Sequence, residues 1–297
     1  MKQFKVEGIL PALVTPFLDD NKTINTESAK MLIERFLDQG ANGFYILGGT
    51  GEGLVMAREE REIMCDLCVK QVAGRKPVIN HIAAMNMNEA CELAKHAEKA
   101  GCDAIAAVPP SFFSYDEDDI YEYYKRLAGC VNIPVIIYYH PAAQKDMSAK
   151  LISHIFEIDN VTGVKWSSGN YYELMKLKDM TKGEMNIING PDEMLLCGLS
   201  AGADAGIGST YNIMLPQFVK VYDCFKAGKL DEALATQLQI NRVIDVLLKN
   251  SLIPSIKHAL KLSGIDCGTG TFPMKQLSNQ QIAKLEKELS EAGWPIK

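Results

Sequence analysis

Lys165 ends the apolar run Val161-Thr162-Gly163-Val164 and is followed by Trp166-Ser167-Ser168-Gly169, so a lysine stands where a strand opens into a loop. Burial at such a place disfavours an ammonium and makes a neutral amine accessible, the nucleophile of Schiff base chemistry on a carbonyl substrate. A strand-end lysine that snorkels to solvent is the commoner arrangement, so this residue gains meaning from its company. Tyr138-Tyr139-His140-Pro141 follows another apolar run and brings a phenol able to pass a proton to or from a substrate oxygen. Either tyrosine taken singly also reads as strand-end packing, and His140 reads as a loop residue or one standing behind the substrate contacts rather than a base.

Three further segments carry polar groups behind apolar runs. Gly48-Gly49-Thr50-Gly51-Glu52-Gly53 can bring backbone N–H groups close to an anion. It lacks the Lys-Ser or Lys-Thr of a P-loop and the spacing of a dinucleotide fingerprint, so a carboxylate suits this short loop and its Thr50 hydroxyl better than a phosphate chain. Asn189-Gly190-Pro191-Asp192-Glu193 places two carboxylates behind a turn. They suit the cap of a following helix and equally suit hydrogen bonds from sugar hydroxyls. Gly206-Ile207-Gly208-Ser209-Thr210-Tyr211-Asn212 is small and polar, open to a ligand or to close packing.

The elements that must position these groups alternate almost from end to end. Apolar, β-type runs fall at 8–13, 43–47, 78–82, 104–108, 135–138, 161–165, 185–189 and 205–207. Helical spacing lies between them, as at 26–39, 57–72, 88–99, 120–127 and 171–181, which is the pattern of a parallel sheet joined by crossover helices. Eight such runs predict an α/β chain folded as a (β/α)8 TIM barrel, whose active site gathers at the carboxyl ends of the strands. A doubly wound open sheet is disfavoured, because Val14-Thr15-Pro16-Phe17 follows the first run in place of a glycine-rich fingerprint. The stretch 212–293 carries helical patterns without a strand signal, so we expect a barrel over residues 1–211 and C-terminal helices packed on it over 212–297.

The length of 297 residues suits one barrel with an extension, and 47% apolar and 23% charged residues are near globular averages. A formal net charge of -6 argues against a nucleic-acid or anionic-membrane surface. The start of the chain has no apolar segment of signal-peptide length and no run elsewhere is long enough for a bilayer, which predicts a cytoplasmic protein. The eight cysteines sit mostly among apolar neighbours and read as reduced, buried thiols. Cys65 and Cys68 form a Cys-x-x-Cys pair inside a helical stretch, with no second pair or nearby histidine to complete a metal site.

Taken together, Gly48-Gly49-Thr50-Gly51-Glu52, Tyr138 with Pro141, Gly163-Val164-Lys165, Gly190-Pro191-Asp192-Glu193 and Gly208-Ser209-Thr210-Tyr211-Asn212 resemble the N-acetylneuraminate lyase and dihydrodipicolinate synthase superfamily over nearly the whole chain. The resemblance implies a class I aldolase on a (β/α)8 barrel with a helical C-terminal extension, acting on a keto sugar acid and pyruvate as a homotetramer without metal or organic cofactor. It implies Lys165 as the Schiff base lysine and Tyr138 as the proton-transfer residue. Gly49 and Thr50 would bind the keto-acid carboxylate, and Ser167, Gly190, Asp192, Glu193 and Ser209 the sugar tail.

Asp192-Glu193 with Ser209 resembles the lyases of the group. Dihydrodipicolinate synthases generally carry an arginine shortly after the Tyr-x-x-Pro segment, whereas this chain reads Pro141-Ala142-Ala143-Gln144-Lys145. Two positions depart from the superfamily pattern. Gly49 stands where a Ser or Thr hydroxyl is frequent, which predicts altered affinity for the carboxylate. Pro109-Pro110-Ser111-Phe112-Phe113-Ser114-Tyr115 stands where many relatives carry paired tyrosines, which argues against a relay through a second phenol. Another pyruvate-dependent aldolase, acting on 2-keto-3-deoxy sugar acids or resembling dihydrodipicolinate synthase, would share Lys165 and Tyr138. A non-catalytic sugar-acid-binding homologue would bind ligand without forming an imine.

Overall fold

The computed structural model describes residues 4–20, 22–144 and 147–295, so Lys145 lies outside the described residues. Strands and helices alternate as β1 (Gly8–Pro11), α1 (Thr26–Asp38), β2 (Phe44–Ile46), α2 (Arg58–Val72), β3 (Val78–His81), α3 (Met87–Ala100), β4 (Ala104–Ala107) and α4 (Glu117–Ala128). They continue as β5 (Val135–Tyr139), α5 (Ala149–Ile155), β6 (Val161–Trp166), α6 (Tyr171–Met180), β7 (Asn186–Asn189), α7 (Leu195–Ser200), β8 (Ala205–Gly208) and α8 (Tyr211–Lys226). Helices α9 (Leu230–Leu248), α10 (Leu252–Leu262) and α11 (Asn279–Glu291) complete the chain. All eight expected runs are strands, each within a few residues of the expected ends.

The strands are parallel in the order β1-β8-β7-β6-β5-β4-β3-β2. A parallel bridge from Ala12 to Tyr45, with Leu13 N donating to Tyr45 O at 2.8 Å, joins β1 to β2 and closes a (β/α)8 barrel. Strand alternation divides the core in two. Leu10, Tyr45, Ile79, Ala104, Ala106, Ile136 and Tyr138 fill the barrel interior. Their sequence neighbours, such as Ile9, Phe44, Ile105 and Ile137, pack outward against the helices. Each fully buried aliphatic or Phe side chain contributes about 1.5–3 kcal/mol.

Local sequence fixes the helix ends. Asn25, Asn86, Asp116, Ser148, Asn170 and Ser278 each accept a backbone N–H of the first turn they precede, which satisfies donors the helix cannot pair. Pro216 inside α8 removes an amide donor, and Met214 beside it leaves helical geometry at φ -140°. No helix among the described residues is long and apolar enough to cross a membrane.

The cysteines correct one expectation. Cys91 on α3 and Cys130 after α4 are bonded, their Cα atoms 5.8 Å apart, and Cys197 is exposed. The barrel makes α3 and α4 neighbours, so residues separated by 39 in sequence meet. Cys65 and Cys68 are free and buried, and burial pushes the Cys68 thiol up, which suits packing better than reactivity.

Candidate active site

The pairing of β5 with β6 sets the centre of the site. Val135 pairs with Val161 but Ile136 with Gly163, so Thr162 is an extra residue in β6, and Tyr138 then faces Lys165 directly. Without that bulge Tyr138 would meet Val164, and Lys165 would fall out of step with it. Gly163 makes the register sterically possible, since a Cβ there would lie 2.6 Å from Asn186 O of the neighbouring β7. Tyr138 therefore points into the barrel, while Tyr139 points outward and packs on Trp166 with ring centroids 4.9 Å apart. Of the two tyrosines, Tyr138 is the one whose ring faces the barrel interior beside Lys165.

Lys165 is 6% exposed, and its Nζ lies 4.1 Å from the Tyr138 ring centroid and 4.5 Å from that of Tyr45. Both distances are within the range over which an aromatic face attracts a lysine head, so the two rings position Nζ. Below them His81 stacks edge-on to Tyr138 at 5.7 Å. Its Nδ1 is 3.2 Å from Leu47 O, and its Nε2 accepts from Val108 N at 3.4 Å, a pattern that fits only the neutral ring. Burial, then the charges of Arg61 and Lys165, pushes the His81 pKa down to about 3.

A cavity of 440 Å³ opens above Lys165 at the carboxyl ends of the strands. Its lining includes Tyr138, Lys165, Gly49, Thr50, Ser167, Gly190, Asp192, Glu193 and Ser209, so every residue singled out from the sequence reaches one chamber. Thr50 Oγ1 and Ser209 Oγ share a hydrogen bond of 2.7 Å, joining the loop after β2 to the end of β8. Gly190 lies against Ser167, whose hydroxyl occupies the space a Cβ would take.

The acidic turn is built differently from a helix cap. Asp192 Oδ2 accepts from both Thr210 N and Thr210 Oγ1 at 2.6 Å, and no side chain caps the short helical turn Asp192–Met194 or α7. Burial raises the Asp192 pKa to about 6, against the two Thr210 bonds, which lower it. Gln237 and Asn241 of α9 hold the carbonyls of Asp192 and Glu193 at 3.2 and 3.0 Å.

Sequence reasoning missed two parts of this site. His140 lies in the loop after β5, as expected, and also lines the cavity wall. The signal was its spacing of two from Tyr138, which puts both on one face of an extended strand. The outer wall is apolar, from Ile244 and Leu248 of α9 and Leu252 and Ile253 of α10. Nothing in the sequence ties those helices to a strand end.

The profile of the dihydrodipicolinate synthetase family matches residues 5–292. The chain belongs to that family. Within the dihydrodipicolinate synthetase family it is 33% identical to an N-acetylneuraminate lyase of Fusobacterium nucleatum over 286 residues, 96% of this chain and 98% of that protein. It is 30% identical to an N-acetylneuraminate lyase of Rhizobium meliloti over 96% of this chain and 95% of that protein. Among solved structures, the Ruminococcus gnavus sialic acid aldolase matches with a TM-score of 0.92 at 30% identity, covering 99% of this chain and 100% of that one. Proteus mirabilis N-acetylneuraminate lyase matches with a TM-score of 0.93 at 27% identity, covering 98% of this chain and 100% of that one.

Proposed function

We propose that this chain is a class I aldolase that cleaves N-acetylneuraminate reversibly to N-acetylmannosamine and pyruvate. The observation that carries the reading is Lys165 Nζ held 4.1 Å from the Tyr138 ring, in one cavity with Gly49, Thr50, Asp192 and Glu193. Relatives named as N-acetylneuraminate lyases over nearly the full length support the choice of substrate.

The open-chain sugar acid binds with its carboxylate on the backbone N–H groups of Gly49 and Thr50 and on the Thr50 hydroxyl. Unprotonated Lys165 Nζ adds to the C2 ketone, and transfer of the Tyr138 phenol proton to the carbinolamine hydroxyl lets it leave as water, giving a protonated imine. Tyr138, with the substrate carboxylate, takes the proton of the C4 hydroxyl as the C3–C4 bond breaks. The bonding pair moves into the iminium, giving an enamine on Lys165 and releasing N-acetylmannosamine. Protonation at C3 and attack of water on the imine free pyruvate and the amine. Ser167, Gly190, Asp192, Glu193 and Ser209 hold the hydroxylated tail, and this sequence of steps draws on no metal or organic cofactor.

We place the enzyme in the cytoplasm as a homotetramer, following the resemblance. Exposed Met85, Phe112 and Phe113, at 70%, 87% and 64%, support an assembly that covers them. Light scattering on the purified protein tests that assembly.

Pyruvate release from N-acetylneuraminate, coupled to lactate dehydrogenase and run beside Lys165→Ala, tests the reaction. Turnover by the wild type alone is expected. Activity on 2-keto-3-deoxy sugar acids with none on N-acetylneuraminate would move the substrate within the family, and normal turnover by Lys165→Ala would sink the mechanism.

A further inference from the structure

His140 directly follows β5, two residues beyond Tyr138, so the two side chains share the face that looks into the barrel mouth. Its ring stands edge-on to Tyr138 with centroids 6.0 Å apart, half-buried, on the wall of the cavity that contains Lys165. The ring is oriented by its own turn. Ala142 N donates to Nδ1 at 3.1 Å, and Ala143 N and Gln144 N donate to the His140 carbonyl at 2.9 and 3.1 Å. A nitrogen that accepts a hydrogen bond carries no proton, so the neutral imidazole bears its single proton on Nε2. Burial, then the nearby charge of Lys165, lowers the His140 pKa and favours that neutral form.

Position decides which part of a substrate this N–H can meet. Tyr45 and Tyr138 belong to the barrel interior and Lys165 lies over their rings, which fixes the imine carbon at the cavity floor. His140 stands further along the strand direction, just past the end of β5, on the wall of the same cavity. In a substrate whose ketone is on Lys165 and whose cleaved bond is beside Tyr138, the atoms that reach this level belong to the departing aldehyde.

We propose that His140 is a substrate contact of the aldehyde half, donating its Nε2–H to an oxygen acceptor of a polyhydroxylated aldehyde. The inference rests on the aldolase reading above and adds to it a residue that selects the aldehyde rather than the keto acid. It makes His140 a donor and leaves the proton chemistry to Tyr138.

The test separates the two halves of the reaction. Imine formation with pyruvate alone is followed by borohydride trapping and intact mass, and the synthetic direction is followed with N-acetylmannosamine at saturating pyruvate. His140→Phe keeps a ring without the donor, and His140→Gln keeps an N–H on a flexible stem. His140→Phe is expected to raise the KM for the aldehyde about tenfold, the scale of one unmade hydrogen bond, with pyruvate half-saturation of the imine unchanged. His140→Gln is expected to recover most of that loss. Aldehyde KM in His140→Phe within twofold of wild type overturns the proposal, as does an equal shift in pyruvate half-saturation. Should the wild type trap pyruvate yet refuse N-acetylmannosamine, the sugar assignment fails separately, and the same comparison is made with the aldehyde accepted from a panel of hydroxyaldehydes and semialdehydes.

Discussion

Glu52 Oε1 and Lys257 Nζ lie 2.7 Å apart with neither side chain exposed to solvent. Glu52 closes the Gly48–Glu52 loop in a left-handed conformation, φ 59°, and Lys257 belongs to α10 of the C-terminal extension. The other carboxylate oxygen accepts from Thr271 N at 2.6 Å and from the Thr271 hydroxyl, while Lys257 also donates to Thr269 O at 2.9 Å. The extension thus grips the loop that presents Gly49, just as α9 grips the acidic turn through Gln237 and Asn241.

A buried pair of this kind is costly to break on one side, because the remaining charge is left unpaired. Lys257→Met is expected to cost about 3–5 kcal/mol of stability and to raise the KM for pyruvate through movement of the Gly49 loop. Glu52→Gln combined with Lys257→Met should cost less than the sum of the single changes. Denaturant titration of the four proteins checks this, and a Lys257→Met loss under about 1 kcal/mol would show that the pair contributes little.

Lys165 and Tyr138 should fail in different ways. Lys165→Ala is expected to lose both cleavage and the trappable pyruvate imine. Tyr138→Phe keeps the ring beside Nζ and removes only the hydroxyl, so imine formation should persist slowly while cleavage falls about 10²–10⁴-fold. Mass analysis after borohydride, set beside pyruvate release, distinguishes the two. Equal loss of both signals in Tyr138→Phe would mean that the phenol serves imine formation as much as C–C cleavage.

The barrel was legible because strand and helix periods alternate cleanly, and strand ends such as Lys165, Gly49 and Asp192 carry local patterns. Features made by neighbours distant in sequence were not. The Thr162 bulge that aligns Tyr138 with Lys165 depends on the packing of three strands around Gly163. Thr210 as the partner of Asp192, Lys257 as the partner of Glu52 and Cys130 as the partner of Cys91 follow from barrel closure rather than from any spacing. His140 was legible in principle, since strand alternation from Tyr138 reaches it, but a proline follows and the pattern breaks there.

Asp192 predicts a pH dependence of known sign. Its pKa is raised from 3.8 to about 6 in the folded protein, chiefly by burial. Between about pH 4 and 6 the native state therefore retains a proton that the unfolded chain releases, so this group lowers stability as pH rises through that window. The cost is complete above pH 6 and is of order 3 kcal/mol. Asp192→Asn removes the charge, so it should be at least as stable as the wild type above pH 6 and flatten the stability profile there. Its sugar KM should nevertheless rise about tenfold, because a carboxylate acceptor is lost. Stability of Asp192→Asn that tracks the wild type from pH 4 to 7 would refute the shift.

Gly49 offers the most direct way to probe the carboxylate end. Its backbone is outside the positive-φ region and a Cβ there meets nothing within 4 Å, so a side chain enters open space without strain. Gly53 is different, since a Cβ would collide with the Leu47 carbonyl, and Gly53→Ala should distort the loop. Gly49→Ser supplies a hydroxyl beside the proposed carboxylate position, where a hydrogen bond to a charged group contributes about 1.5–3 kcal/mol before ordering costs. The KM for pyruvate in the synthetic direction is expected to fall about tenfold, with the KM for N-acetylmannosamine unchanged. A KM for pyruvate that stays constant or rises would place the carboxylate away from Gly49, leaving Thr50 and Ser209 as the anchor to test next.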